Sequence, residues 1–237
     1  MKAKYVSIFF ALAFASVSCK VNDIGLYSDE NPRIEFAGLV TYTFSDDEYL
    51  NAHILGGEEY SEVKFTARLI GYFLEAPRTF AVTSEPIASA FNPVFRFDNP
   101  YTFPAEQSEY AAAFRVRCPE REDVSTRETT NTGQAYIVYD NSSAYQQFGE
   151  GRVENLACRV DVVLQIYPTD WNSAFWGSYS TSKYLLMMET FEAVHGDIQQ
   201  TAGNKTRIRE AYAAYKSANG PLYGDDGASE TEISFPD

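Results

Sequence analysis

The chain has 237 residues, 45% of them hydrophobic and 15% aromatic, and a formal net charge of −14. That apolar content can build a substantial core, so the composition excludes a disordered chain. The acidic balance argues against nucleic acid, whose phosphates need Lys and Arg, and against docking on anionic lipid headgroups.

The chain opens with an export signal. Lys2 and Lys4 precede an apolar run over residues 5–17, followed by the small Ser18 and then Cys19. A basic start, an apolar stretch of this length and a small-residue end describe a secretory signal. A spanning helix needs about 20 apolar residues, and this run breaks into Lys20, Asn22 and Asp23. The ending S-V-S-C resembles a bacterial lipobox, which makes Cys19 the lipid-attachment residue; an ordinary secretory signal with an incidental Cys is the alternative. Residues 1–18 are read as a signal peptide and 19–32 as a lipidated tether that ends at Pro32. Cutting before Cys19 removes 18 residues, Lys2 and Lys4 among them, so 219 remain and the charge of −14 becomes −16. Attachment to the membrane then falls to the lipid, at roughly 0.8 kcal/mol per buried CH₂.

From Arg33 the hydrophobic period is two. Ile34 and Phe36 alternate with Arg33 and Glu35; Val40, Tyr42 and Phe44 alternate with Leu39, Thr41 and Thr43, and Ser45-Asp46-Asp47-Glu48 ends that run. Val63, Phe65, Ala67 and Leu69 form one stripe, and Tyr110, Ala112, Phe114, Val116 and Cys118 another. Leu156, Cys158, Val160, Val162, Leu164 and Ile166 form the longest. Shorter strands are expected around Phe80 and Val82 and around Phe95 and Phe97. About seven strands, each with one apolar face, predict a mainly β fold, an antiparallel β-sandwich over residues 33–168. Residues 119–155 read as a long excursion from it, charged at first, with one strand at 135–139.

After Tyr167-Pro168 the period changes to that of helices, so residues 169–237 predict a small helical appendage packed on the sandwich. Ser180 or Ser182 can cap one helix with Tyr184, Met188 and Phe191 on its buried stripe. Asn204 or Thr206 can cap a second with Ile208, Ala211, Tyr212 and Tyr215 on one face, stopped by Asn219-Gly220-Pro221.

No catalytic set stands out. The chain has two His, His53 and His195, far apart in sequence, and no H-x-x-x-H, C-x-x-C, G-x-S-x-G or phosphate-cradling Gly loop. Asp46-Asp47-Glu48 and Asp225-Asp226-Gly227 are acidic but lack the spacing of a calcium loop. The expectation is therefore no catalytic residue, no metal and no cofactor. Trp171, Phe175, Trp176 and Tyr179 crowd the sandwich-to-helix junction. They are candidate binding aromatics, or else the glue between the two parts, with Trp176 expected buried and Trp171 more exposed. Cys118 and Cys158 are a candidate disulfide, which an exported protein permits.

The chain resembles a family of Bacteroides-type lipoproteins catalogued as a domain of unknown function. The resemblance rests on the lipobox at Cys19, Arg33-Ile34-Glu35-Phe36 before Tyr42-Thr43-Phe44, and residues 63–71 before Arg78-Thr79-Phe80. It also rests on Phe175-Trp176-Gly177-Ser178-Tyr179-Ser180 with Lys183-Tyr184, and on the tail from Asp225-Asp226-Gly227 to Phe235-Pro236. The first sheet region looks like an immunoglobulin or Calx-beta sandwich. The resemblance implies a lipid-anchored outer-membrane protein that is an accessory or binding module of a SusC/SusD-like nutrient-uptake complex. Its partners would be the transporter, neighbouring lipoproteins and a peptide or glycan, with no nucleic acid. A purely structural envelope scaffold is the alternative reading, and a glycan-active enzyme the third.

Overall fold

The computed structural model describes residues 31–36, 38–124, 130–168, 170–224 and 231–237. The signal peptide, Cys19 and Asp225-Asp226-Gly227 lie outside the described residues. In chain order the strands are β1 (Arg33–Glu35), β2 (Leu39–Phe44), β3 (Tyr60–Ile70), β4 (Arg78–Phe80), β5 (Val82–Pro86), β6 (Phe95–Phe97), β7 (Tyr101–Phe103), β8 (Glu109–Arg117), β9 (Thr130–Tyr139), β10 (Gly149–Glu150) and β11 (Ala157–Gln165). Helix α1 (Asp46–His53) lies between β2 and β3, and α2 (Ser173–Trp176), α3 (Thr181–Phe191) and α4 (Ala202–Asn219) follow β11. The fold is mainly β. One sheet has the order β10-β1-β3-β8-β6, a second β2-β11-β9-β5, and β4 pairs with β7 in a ribbon.

The sheets are mixed rather than antiparallel throughout. β11 pairs with β2 in parallel, Arg159 opposite Leu39 to Leu164 opposite Phe44, and β1 pairs with β10 in parallel. The cause is the first length of chain. β1 is antiparallel to β3 in one sheet, and the next strand, β2, lies in the other sheet beside β11.

Both sheets supply one hydrophobic cluster, with Phe36, Phe65, Phe80, Phe114, Ile137, Val160 and Leu164 at its centre. The expected stripes on β3, β8 and β11 are its walls. The 119–155 stretch differs from the excursion expected of it. Its β9 is the strand between β11 and β5, paired on both sides. Its buried positions include Asn131, Gly133 and Ala135, residues too polar or too small to write a hydrophobic stripe. Gly133 is small for a reason: a Cβ there would meet the Phe91 ring at 2.4 Å.

The strand registers define two ends of the molecule. At the entry end, Pro32 leads into β1, β3 finishes at Ile70 and β9 finishes at Tyr139. At the helical end, β2 runs into α1 and β11 runs through Ile166 into the junction. Ser45-Asp46-Asp47-Glu48, expected to end a strand, also starts α1. Ser45 caps it, and the Glu48 carboxylate takes the Ser45 N–H at 2.9 Å in a reciprocal box. Ser180 caps α3, which is buried on all sides over Thr181–Met188 rather than along a stripe. Thr201 caps α4, so the helix starts earlier than either expected cap; Ala202-Gly203 had masked its first turn. Gly220, at φ 86°, ends it as expected.

The expected Cys118–Cys158 disulfide is not formed, and both thiols are free and buried. β8 and β11 run the same way along the molecule. Cys118 follows the end of β8, its N–H on the Glu59 carbonyl, whereas Cys158 sits at the start of β11, beside Arg159, whose N–H meets Gly38. The offset is about six strand residues, roughly 20 Å, against the ~7 Å between Cα atoms that a bond tolerates. Burial pushes Cys118 up to about 12 and Cys158 up to about 11, so both behave as small hydrophobes.

Candidate functional site

The junction aromatics turn inward. Asn172 caps α2, its Oδ1 accepting from the Phe175 N–H at 3.2 Å. That turn drives Trp176 into the core at 0% exposure, edge-on to Phe175 at 4.6 Å. Trp171 is partly exposed, yet its Nε1 donates to the Gly177 carbonyl at 2.9 Å, and its ring meets Tyr179 at 5.3 Å and His195 at 5.1 Å. Tyr179 donates to the Ile166 carbonyl at 2.5 Å, tying the junction to the end of β11. Tyr184 donates to Asp46 at 2.6 Å and accepts from the His195 N–H, tying α3 to α1. All four candidate aromatics pack on the core, Trp176 within it and Trp171, Phe175 and Tyr179 partly buried against it.

The junction and the C-terminal tail form one unit. Gly177 has φ 80°, and a Cβ there would lie 3.3 Å from both Lys183 Nζ and Pro236 Cδ. Lys183 is buried and donates to the carbonyls of Ser178 at 2.7 Å and Trp176 at 3.3 Å, with the Phe235 ring 5.2 Å away. Burial holds its ammonium down to about 8. Ile233 is buried under the same tail, Glu232 accepts from Tyr212 at 2.8 Å, and Asp237 pairs with Arg209 at 2.8 Å. The Phe-Trp-Gly-Ser-Tyr-Ser stretch and Phe235-Pro236 therefore share a packing role. Among the described residues no group of three His, Cys, Asp or Glu could hold a metal ion.

Two concavities lie at the opposite, entry end. A cleft of ≈ 590 Å³ is lined by Asn31, Ala76, Pro77, Arg78 and residues 146–149. A hollow of ≈ 190 Å³ adjoins it, bounded by Pro32, residues 72–76 and Arg78. Tyr72 and Phe73 are each 63% exposed on the loop after β3, and Tyr145 is 58% exposed beside the cleft. Local hydrogen bonds build the wall. Gln147 accepts the Thr79 N–H at 2.8 Å, Gln146 bonds both the N–H and the carbonyl of Ala81, and Thr79 Oγ1 donates to the Tyr145 carbonyl. Glu35, 1% exposed, clamps the following stretch through a two-pronged pair with Arg152 at 2.7 and 3.0 Å and a bond from Asn155. That guanidinium holds the Glu35 carboxyl below its usual range. A Tyr-Phe pair between Gly71 and Pro77, in a loop with no stripe to join, is the one signal that could have pointed here.

No protein-family model matches the chain, and no curated protein matches it. Among solved structures it is similar to a two-domain protein of unknown function from Bacteroides fragilis, with 10% identity and a TM-score of 0.34. The match covers 58% of this chain and 47% of that one, so the chain spans about half the length of that protein.

Proposed function

We propose that the chain is an envelope lipoprotein, anchored in the outer membrane through Cys19, that serves as an accessory or binding module of a SusC/SusD-like nutrient-uptake complex. The observation that carries the binding role is the ≈ 590 Å³ cleft, which includes Asn31 and so lies where the chain runs back toward Cys19. A lipid-held module with its cleft at that end would present ligand beside a membrane transporter. The lining combines Arg78, Gln146 and Gln147 with Pro77 and Phe148, a mix of polar and apolar groups that suits a glycan or an extended peptide. The domain type proposed is an immunoglobulin-like sandwich. Its support is the order β1-β3-β8-β6 against β11-β9-β5, which parallels the ABED and GFC sheets of that fold.

Two experiments test this. Cys19→Ala should release the protein from the membrane fraction; a variant that still sediments like wild type removes the anchor. Glycan and peptide titrations on the full chain should show binding that Arg78→Ala, in the cleft lining, weakens about thirtyfold, the 2 kcal/mol of an interface anchor. Equal affinity in the two proteins removes the cleft as the ligand site. The scaffold reading has one observation in its favour, the inward packing of all four junction aromatics. Recovery in a solubilised transporter complex with no ligand in any titration would select it.

A further inference from the structure

We propose that the Tyr72–Phe73 tip seats in the headgroup layer of a zwitterionic bilayer and stands the anchored domain upright, helical end outward. The inference rests on the reading of Cys19 as the lipid anchor. Three observations on the molecule carry it.

The first is the tip itself. Tyr72 and Phe73 are consecutive, each 63% exposed, and held on the loop where β3 ends. Tyr settles at the level of lipid headgroups, and Phe buries its ring at the headgroup–acyl boundary. The second is the length of chain outside the structure. Twelve residues, 20–31, separate Cys19 from Pro32, which itself lines the hollow beside Tyr72. Fully extended they reach about 40 Å. β3 alone, at 11 residues, is about 36 Å long. Facing the helical end to the bilayer would send the tether back along the whole sheet and use nearly all of its reach. The entry end meets the membrane with slack to spare.

The third is charge. Two charges line the hollow beside the tip, Glu75 and Arg78, and they are of opposite sign. The helical end is acidic: Asp46, Asp47, Glu48 and Asp197 lie close enough for their repulsion to help burial raise the Asp47 carboxyl. Any anionic lipid in the leaflet repels that acidic cluster, whereas Tyr72 and Phe73 carry no charge of their own.

The test uses the full lipidated chain in phosphatidylcholine–phosphatidylethanolamine vesicles, with an environment-sensitive dye at Phe73→Cys or, at the helical end, at the 52%-exposed Leu55→Cys. Cys118 and Cys158 are buried and do not compete for the label. The expected result is a blue shift at position 73 and loss of its emission to spin-labelled lipid, with neither at position 55. Chains that float with the vesicles but show no quenching at 73, or equal quenching at both positions, overturn the seating and leave the anchor in place. Chains that do not float with the vesicles refute the anchor and the seating together.

Discussion

Trp176 offers the sharpest test of the junction. Its indole is fully buried between Phe175 and Phe191, and truncating such a ring to Ala typically costs about 3–5 kcal/mol. One contribution runs the other way. Nε1 of Trp176 is buried without a hydrogen-bond partner among the described residues, a burden of about 1 kcal/mol or more that truncation relieves. Trp176→Ala should therefore destabilise by about 2–4 kcal/mol. At about 2–4 °C per kcal/mol for a chain of this size, the melting temperature falls by about 5–15 °C. Trp176→Phe keeps a ring against Phe175 and Phe191 and removes the unpaired N–H, so it should stay within about 1 kcal/mol of wild type. Thermal melts by circular dichroism and urea titrations measure both. An Ala variant that melts like wild type would refute the packing role. A Phe variant as damaged as the Ala one would refute the argument from the unpaired N–H.

The remaining predictions concern titration and thiols. Non-reduced protein unfolded in guanidinium with a thiol label should take two labels, at Cys118 and Cys158; no label at either would mean that β8 and β11 bring the two thiols within bonding distance after all. Lys183 is held down to about 8 from an ordinary 10.5, so the unfolded chain binds more protons between those values. Wild type should then gain stability relative to Lys183→Met as pH rises from about 8 to 10.5; a flat difference in urea midpoints across that range would contradict it. Glu35 has the opposite sense. Its carboxyl lies below the usual range because of Arg152, so its contribution is full above about pH 4.5 and fades as pH falls through the lowered value. The advantage of wild type over Glu35→Gln should shrink as pH falls below about 4.5, and an advantage that stays constant on acidification would sink the linkage.

Local pattern alone specified much of this protein. Alternation along Val63 to Leu69, Tyr110 to Cys118 and Cys158 to Ile166 names three strands and their inward faces, because a strand's side chains alternate whatever it pairs with. Ser180 and Gly220 mark helix ends, because capping is settled within a few residues. What pairs with what is another matter. β9 is central, yet its Asn131, Gly133 and Ala135 carry no stripe, and at Gly133 the Phe91 ring leaves no room for a side chain. The parallel set of β2 beside β11 follows from β1 and β2 lying in different sheets, which no period records. The same registers put Cys118 and Cys158 a strand's length apart and bury Glu35 under Arg152, 117 residues later. The cleft, too, belongs to tertiary structure. It gathers residues 31, 76–78 and 146–149, and contacts between segments so distant in sequence are made only when the sheets assemble.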